Sequence, residues 1–155
     1  MTLSQSLFDL TGKTALVTGG SSGLGAYFAE VLCDAGAKVA IVARRTDKLE
    51  EVAAAVRAKG GDVTTKTCDI VDAERVAVVV DELWSELGRI DILVNNAGTV
   101  GDGGFVPEKL PHAVFGETIQ TNLIGLWACS QEVGKRMLGD GKGGSIINIT
   151  SVMGM

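Results

Sequence analysis

The stretch TGGSSGLG, at residues 18–25, has the residue types of a phosphate-binding turn. It follows a short apolar run and precedes a segment whose apolar residues have helical spacing. Gly19 allows a sharp turn, Gly23 lets the backbone approach a pyrophosphate, and Gly25 permits close packing of the helix on a sheet. The free N–H groups and the positive dipole end of that helix would face the phosphates. A glycine-rich turn can also be only a turn, but its place between a strand and a helix predicts dinucleotide binding.

Two arginines, Arg44 and Arg45, come directly after the second apolar run. Dinucleotide-binding folds that prefer NAD usually carry a carboxylate at this point, which binds the ribose 2′-hydroxyl. This chain has Ala43 and then Arg44 instead. A guanidinium can pair bidentately with a 2′-phosphate, and the missing carboxylate removes a source of repulsion. The pattern favours NADP(H) over NAD(H), and the alternative is that both arginines are solvated loop cations.

Polar residues also end the third and fourth apolar runs. Asp69 could accept a hydrogen bond from an adenine amino group, or it could cap the next helix, a role for which Asp72 is better placed. The motif NNAG, at residues 95–98, puts two amides at the end of a buried strand, where they are costly unless hydrogen-bonded. These amides could clamp neighbouring backbone while the small residues after them leave room for a cofactor. A generic turn after a strand is the alternative.

Five short apolar runs must position these residues, and they alternate with segments of helical spacing. The runs predict strands at residues 13–19, 38–43, 62–70, 90–98 and 144–151. The segments between them predict helices, with their capping residues, at residues 22–35, 46–61, 72–88 and 112–138. This order implies a parallel sheet with right-handed crossovers and helices on both faces, in which ligands bind at the carboxyl ends of the strands. We therefore expect the loop at residues 99–110 to line the substrate side.

The composition argues against several classes of protein. At 155 residues, with 46% hydrophobic and 21% charged residues, the chain fits one globular domain. The net charge of −5 and the absence of a Lys or Arg run argue against nucleic-acid binding. The three cysteines form no C-x-x-C pair, which argues against disulfides and zinc and favours buried thiols in a reducing compartment. With a single histidine, no leader sequence and no apolar stretch of membrane length, we expect a cytoplasmic protein without a metal.

Together these motifs resemble the short-chain dehydrogenase/reductase (SDR) family. The matching pieces are T-G-x-x-x-G-x-G at residues 18–25, Asp69, N-N-A-G at residues 95–98, TNLIG at residues 121–125, and GSIINITS ending in Ser151. The resemblance covers nearly the whole chain. It implies one NAD(P)-binding domain over residues 1–155, with a Rossmann-like doubly wound parallel sheet of strand order 3-2-1-4-5 that lacks its C-terminal strands and helices.

The resemblance also implies a role for individual residues. The residues expected to line the pyrophosphate and adenosine ribose are Gly19, Ser21, Ser22, Gly23, Leu24 and Gly25. Arg44 would sit at the 2′-phosphate with Arg45 beside it, Asp69 and Ile70 would flank adenine, and Asn96, Ala97 and Gly98 would run along the cofactor. Asn122 matches the family's active-site Asn, which supports a water-linked proton relay, and Ser151 matches the catalytic Ser that hydrogen-bonds the substrate oxygen.

One part of the family pattern is absent from these 155 residues. In the family a Tyr follows the catalytic Ser by about a dozen residues as the general acid/base, and a Lys one helical turn later lowers its pKa. The only tyrosine here, Tyr27, lies in the first predicted helix and cannot substitute by position. We therefore expect part of an NADP(H)-dependent oxidoreductase for a carbonyl/alcohol pair, inactive alone. A non-catalytic NADP(H)-binding module, a truncated pseudoenzyme, or a fragment that cannot fold stably alone are the alternatives.

Two expectations concern surfaces. Left without a neighbour, the strand SIINIT would be an apolar edge prone to association. The long helix, with Leu123, Leu126 and Trp127, would pair with another subunit, as the family's equivalent helix commonly does, to give a homo-oligomer, a dimer or a tetramer, of the full-length protein. The expected partner is otherwise a small-molecule carbonyl or alcohol, with no nucleic acid and no membrane.

Overall fold

The computed structural model describes residues 7–100 and 107–151, which are built on a five-stranded parallel sheet. The strands are β1 Thr14–Thr18, β2 Lys38–Ala43, β3 Asp62–Thr67, β4 Ile92–Asn95 and β5 Ser145–Asn148. Their order, β3-β2-β1-β4-β5, confirms the predicted Rossmann-like, doubly wound sheet. The strand order reverses between β1 and β4, so the crevice at a switch point lies beside the carboxyl ends of these two strands.

Helices cover both faces of the sheet. They are α1 Gly23–Asp34, α2 Thr46–Ala58, α3 Ala73–Leu87, α4 His112–Ile119 and α5 Leu126–Gly139. Successive residues of β1 enter different cores: Ala15 and Val17 pack with residues of α1 and α2, whereas Leu16 packs with residues of α3 and α5. Because both faces of β1 are covered, all five of its residues are buried.

The structure divides the helix predicted at residues 112–138. A π-helical turn, Gln120–Gly125, separates α4 from α5. Gly125 is buried, and a Cβ built on it would lie 2.8 Å from Cγ1 of Ile70. Tertiary contacts of this kind hold the widened turn in place, and π-helical turns occur frequently at functional sites.

A polar cluster ties the strands together at their amino ends. Asp91, buried just before β4, accepts hydrogen bonds from the main-chain N–H of Thr14 at 3.0 Å and from its Oγ1 at 3.1 Å. Arg89 pairs with the same carboxylate and donates to the carbonyl oxygen of Gly143 at 2.8 Å. Desolvation by itself would raise the pKa of Asp91, but the hydrogen bonds from Thr14 and the charges of Arg89 and Lys13 outweigh it and lower that pKa. The cluster fixes the starts of β1, β4 and β5.

Strand β5 lies at one edge of the sheet, next to β4. Its side chains are exposed, including 40% of Ile146 and 45% of Ile147. Within the described residues β5 is therefore the apolar edge strand that the sequence predicts.

The three cysteines are free thiols. Cys68 and Cys129 are buried as predicted, whereas Cys33 is only half-buried. Burial raises the pKa of Cys68 to about 11 and that of Cys129 to about 12, so both thiols are protonated near neutral pH. Residues 7–100 and 107–151 contain no cluster of His, Cys, Asp or Glu side chains suited to a metal ion. No helix in the same ranges has the length and apolar character needed to cross a bilayer.

Candidate functional site

A cavity of about 270 Å³ lies at the carboxyl ends of β1, β2, β3 and β4. Most of the predicted cofactor-binding residues line it: Gly19, Ser21, Ser22, Arg44, Arg45, Asp69, Ile70, Asn96, Ala97 and Gly98. Gly23, Leu24 and Gly25 are not in the lining and form the start of α1 beside it. Five further lining residues were not predicted as site residues: Val42, Ala43, Cys68, Thr99 and Thr121. The sheet thus brings together four loops that are far apart in sequence.

The glycine turn after β1 leaves no room for a side chain at Gly19, Gly20 or Gly25. Gly19 has a φ of +69°, and a Cβ built on it would lie 2.8 Å from Cα of Ala97. A Cβ built on Gly25 would lie 2.2 Å from the main-chain oxygen of Gly19. The first turn of α1 is therefore pressed against the glycine turn itself, and the loop after β4 is pressed against its other side.

The N-terminus of α1 carries the features of an anion site. Its N-cap residue, Ser22, makes no side-chain capping hydrogen bond, and the first turn contains no acidic residue. Helix α3 differs, because Asp72 caps it by accepting a hydrogen bond from the N–H of Arg75 at 2.9 Å. The first-turn N–H groups of α1 remain available to a ligand, and the positive end of the helix dipole favours a negative one. The donors and the open space beside them fit a phosphate group.

Asn96 clamps the loop after β4 to the glycine turn. Its Nδ2 donates to the main-chain oxygens of Thr18 at 3.1 Å and of Gly19 at 3.4 Å. In return, Oγ1 of Thr18 accepts from the N–H groups of Asn96 at 3.1 Å and Ala97 at 3.0 Å. The sequence motifs predict no role for the hydroxyl of Thr18. The available signal was a Thr as the last residue of a buried strand, since a buried hydroxyl requires a partner.

The two arginines after β2 differ in their contacts. Nη2 of Arg45 donates to Oγ of Ser22 at 3.2 Å and lies 3.4 Å from Oγ of Ser21. The side chain of Arg44 has no hydrogen-bond or ion-pair partner among the described residues. Both side chains are exposed at the cavity. Arg45 already joins the loop after β2 to the glycine turn, whereas Arg44 is available to an anion.

Asp69 and Ile70 form the wall of the cavity after β3. Oδ1 of Asp69 accepts from the N–H of Val71 at 3.2 Å, and the side chain is exposed. Asp72, not Asp69, caps α3, as the sequence suggests. Ile70 is buried and lies against Gly125 of the π-helical turn. The wall after β3 is therefore in contact with the element that carries Asn122.

Asn122 is held by the main chain of one residue. Its Oδ1 accepts from the N–H of Thr99 at 2.8 Å, and its Nδ2 donates to the carbonyl oxygen of Thr99 at 2.8 Å. Asn122 itself does not line the cavity, but its neighbour Thr121 does. Thr99 begins the loop expected on the substrate side, and residues 101–106 of that loop lie outside the described residues.

Ser151 lies just beyond the carboxyl end of β5 and is exposed. The pairing with β4 continues past the strand, because the N–H of Ile149 donates to the carbonyl oxygen of Asn95 at 2.9 Å. Ser151 does not line the cavity, and neither does Tyr27, which is 61% exposed on α1. The structure gathers the cofactor residues in one cavity and leaves Ser151 at the same edge of the sheet, on the neighbouring strand.

The family of this chain follows from comparison with known proteins. The family model described as short chain dehydrogenase matches residues 13–155. The chain belongs to the short-chain dehydrogenase/reductase family. It is 41% identical over 145 residues to the D-threitol dehydrogenase of Mycolicibacterium smegmatis, covering 93% of this chain and 54% of that protein. The crystal structure of a short-chain type dehydrogenase/reductase from Mycobacterium marinum matches this chain with a TM-score of 0.89 at 37% sequence identity. The match covers 97% of this chain and 60% of the Mycobacterium marinum chain.

Two further SDR structures contain a cofactor. A metagenomic short-chain oxidoreductase in complex with NADP has a TM-score of 0.84 at 35% identity, over 92% of this chain and 64% of its own. An NAD+-bound xylitol dehydrogenase has a TM-score of 0.89 at 30% identity, over 94% of this chain and 55% of its own. The chain spans about half the length of the curated relatives that it matches. The relatives include a D-threitol dehydrogenase and a 3-oxoacyl-[acyl-carrier-protein] reductase, so this SDR chain comes from an oxidoreductase family.

Proposed function

We propose that this chain is the nicotinamide-dinucleotide-binding domain of an NADP(H)-dependent oxidoreductase that interconverts a carbonyl and an alcohol. The observation that carries the proposal is one cavity, formed by the loops after four strands, beside the uncapped start of α1. The SDR match supports the same class of reaction. Three free cysteines favour the reducing environment of the cytoplasm for this protein.

In this proposal the glycine turn and the first turn of α1 hold the pyrophosphate. The built Cβ of Gly23 meets no heavy atom within 4 Å, so an anion can reach the main chain there. The N–H groups of the first turn, including those of Leu24 and Gly25, supply donors and a positive field. Asp69 and Ile70 flank the adenine, and residues 96–98 run along the cofactor toward the nicotinamide.

The preference for NADP(H) rests on charge at the end of β2. Ala43 and Arg44 stand where a carboxylate would bind an unmodified ribose, and Arg44 has no competing partner among the described residues. A free guanidinium suits a 2′-phosphate because it can form two charge-assisted hydrogen bonds. Arg45 would add a second positive charge after it exchanges its contacts with the serine hydroxyls.

The reaction needs a hydride, which the bound cofactor exchanges with the substrate carbon, and a proton. We assign to Ser151 a hydrogen bond to the substrate oxygen, which orients the carbonyl or alcohol. We assign to Asn122 support of a water-linked proton relay, with both polar atoms of its side chain held by the main chain of Thr99. A Ser hydroxyl is too weak an acid to supply the proton, and Tyr27 lies away from the cavity. The family takes this proton from the Tyr of a Y-x-x-x-K pattern, which these 155 residues do not contain.

We further propose that the full-length protein is a homo-oligomer paired through α4 and α5. Phe115, Ile119, Leu123 and Trp127 recur every fourth residue and are exposed by 54%, 38%, 55% and 61%. Monomeric proteins rarely expose such a contiguous apolar stripe. In the complete protein, Leu123→Glu should lower the oligomeric state measured by analytical ultracentrifugation, whereas Glu117→Gln should not.

The proposed function is tested on the protein expressed from the complete coding sequence. Isothermal titration calorimetry should give tighter binding of NADPH than of NADH. Oxidation of D-threitol or xylitol with NADP+, followed by the absorbance of the reduced cofactor, should show turnover that Ser151→Ala lowers on the order of a hundredfold. Failure to bind either cofactor would overturn the proposal. Binding without turnover of any alcohol or carbonyl would favour the non-catalytic module instead.

A further inference from the structure

Asn95, the last residue of β4, joins three elements through one buried amide. Asn95 is only 2% exposed. Nδ2 donates to Oγ of Ser130 in α5 at 2.9 Å and to Oδ1 of Asn148, the last residue of β5, at 2.9 Å. Its carbonyl oxygen accepts from the N–H of Ile149 at 2.9 Å. Both of its side-chain N–H groups are therefore used, each toward a different element.

The neighbouring Asn96 reaches in the opposite direction. Successive side chains of a strand point to opposite sides, and Asn96 bonds to Thr18 and Gly19 at the end of β1. The pair of adjacent amides thus connects the glycine turn on one side of β4 with the end of β5 on the other. Only two residues separate Asn148 from Ser151, so the position of Asn148 constrains the position of Ser151.

The amide of Asn95 stabilises this position less than an apolar side chain of the same size would. Its Oδ1 is buried and has no hydrogen-bond partner among the described residues. A buried acceptor without a partner is destabilising, and an apolar residue of similar size would avoid that cost. A residue that only filled the core would not need two directed donors. The directions of the two bonds are what the amide adds.

We propose that Asn95 is a positioning residue for the reaction, which sets Ser151 relative to the cofactor loop at residues 96–98 and to α5. Its acceptor Asn148 transmits the position to Ser151, and Ser130 ties the same amide to the helix that follows Asn122. This inference rests on the proposed function, because it requires that Ser151 contacts the substrate. It differs from a role in holding the sheet together, because it predicts an effect on turnover that exceeds the loss of stability.

The sharpest variants are at Asn148, which is exposed in the described chain and so tolerates substitution better than Asn95. Asn148→Ala removes the acceptor of the Asn95 amide, whereas Asn148→Asp keeps an oxygen in the same place. In the complete enzyme, with D-threitol or xylitol as the probe substrate, Asn148→Ala should lower kcat on the order of tenfold to a hundredfold, since small misplacements of reacting groups cost that much. Asn148→Asp should retain most of kcat. The dissociation constant for NADPH should change less than twofold in both, because the clamp of Asn96 on Thr18 is intact.

Asn95→Leu removes both donors of the amide, and its matched control lies at the opposite end of the same sheet. Thr14→Val removes the hydroxyl bonds to Asp91 and to the carbonyl oxygen of Arg89, and should lower stability without lowering kcat. If Asn148→Ala and Asn95→Leu keep kcat within twofold of Thr14→Val, the positioning role is wrong while the proposed function stands. If Ser151→Ala itself retains full turnover, the proposed role of Ser151 is wrong, and the positioning role falls with it.

Discussion

At the scale of single residues, the two arginines after β2 differ in the hydrogen bonds that their side chains make. The guanidinium of Arg45 is tied to Ser22, and that of Arg44 has no such partner among the described residues. We expect Arg44→Ala to weaken NADPH binding by about 1.5–3 kcal/mol, the worth of hydrogen bonds to a charged group, and to leave NADH binding unchanged. Titration calorimetry with both cofactors measures the difference. Arg75→Ala, which removes an arginine of α3 that does not line the cavity, is the control. Equal losses for NADPH and NADH would contradict a 2′-phosphate contact.

Gly25 tests the close packing of the glycine turn. A Cβ there would approach the main-chain oxygen of Gly19 to 2.2 Å, and main chain cannot yield as a flexible side chain does. Gly25→Ala should therefore lower the free energy of unfolding by about 1–3 kcal/mol or more, as overpacking does. Gly116→Ala is the matched control, because its built Cβ meets nothing within 4 Å in α4 and Ala is the better helix former. Chemical denaturation measures the free energy of unfolding of both variants. Equal stabilities would show that the glycine turn can shift to accommodate the added Cβ.

At the scale of elements, the sequence predicts the strands and helices well but misses the interruption between α4 and α5. Apolar residues recur every fourth position across this segment, so the pattern predicts a single helix. These residues are Phe115, Ile119, Leu123 and Trp127. The π-helical turn comes from contacts with distant parts of the chain, the packing of Gly125 on Ile70 and the bonds of Asn122 to Thr99. Periodicity contains no information on such contacts. The motif TNLIG marked the place, through the family resemblance, but not its geometry.

The same turn gives a prediction for the element that it holds. Asn122→Ala removes two hydrogen bonds to the main chain of Thr99, and the exposed position limits the cost to about 1 kcal/mol. The amide of Thr99 should lose much of its protection from hydrogen exchange, which NMR measures residue by residue. Thr118→Val, which removes the bond from its Oγ1 to the carbonyl oxygen of Val114 within α4, should leave that amide protected. Unchanged protection in Asn122→Ala would mean that other contacts hold the loop after β4.

At the scale of the whole molecule, the two ends of the sheet differ in how far the sequence predicts them. The carboxyl ends carry glycine and asparagine motifs whose spacing pointed to the cavity, and most of those residues line it. The amino ends carry the cluster of Thr14, Arg89 and Asp91. No sequence motif predicts this cluster. Thr14 and Asp91 are 77 positions apart, and only the parallel pairing of β1 with β4 brings them together. Arrangements that depend on register become visible only once the sheet is formed.

This cluster predicts how stability depends on pH. The hydrogen bonds from Thr14 and the nearby charges of Arg89 and Lys13 lower the pKa of Asp91 in the folded state, despite the opposing effect of desolvation. The unfolded chain therefore takes up a proton at higher pH than the folded chain. The resulting stabilisation is complete above the unfolded value, about 3.9, and is lost as the pH falls from there through the folded pKa.

Asp91→Asn should remove this part of the acid dependence. At neutral pH it should cost about 2 kcal/mol, because the bonds from Thr14 then go to an uncharged acceptor and Arg89 loses one of its two ion pairs. Denaturation curves from neutral pH down to about pH 2 should show that the difference in stability between wild type and Asp91→Asn is constant above about pH 4 and narrows below it. Asp62→Asn, which replaces an exposed carboxylate whose Oδ2 lies 3.8 Å from Nζ of Lys38, is the control substitution. A constant gap across the whole pH range would mean that Asp91 keeps the same pKa in the folded and unfolded states.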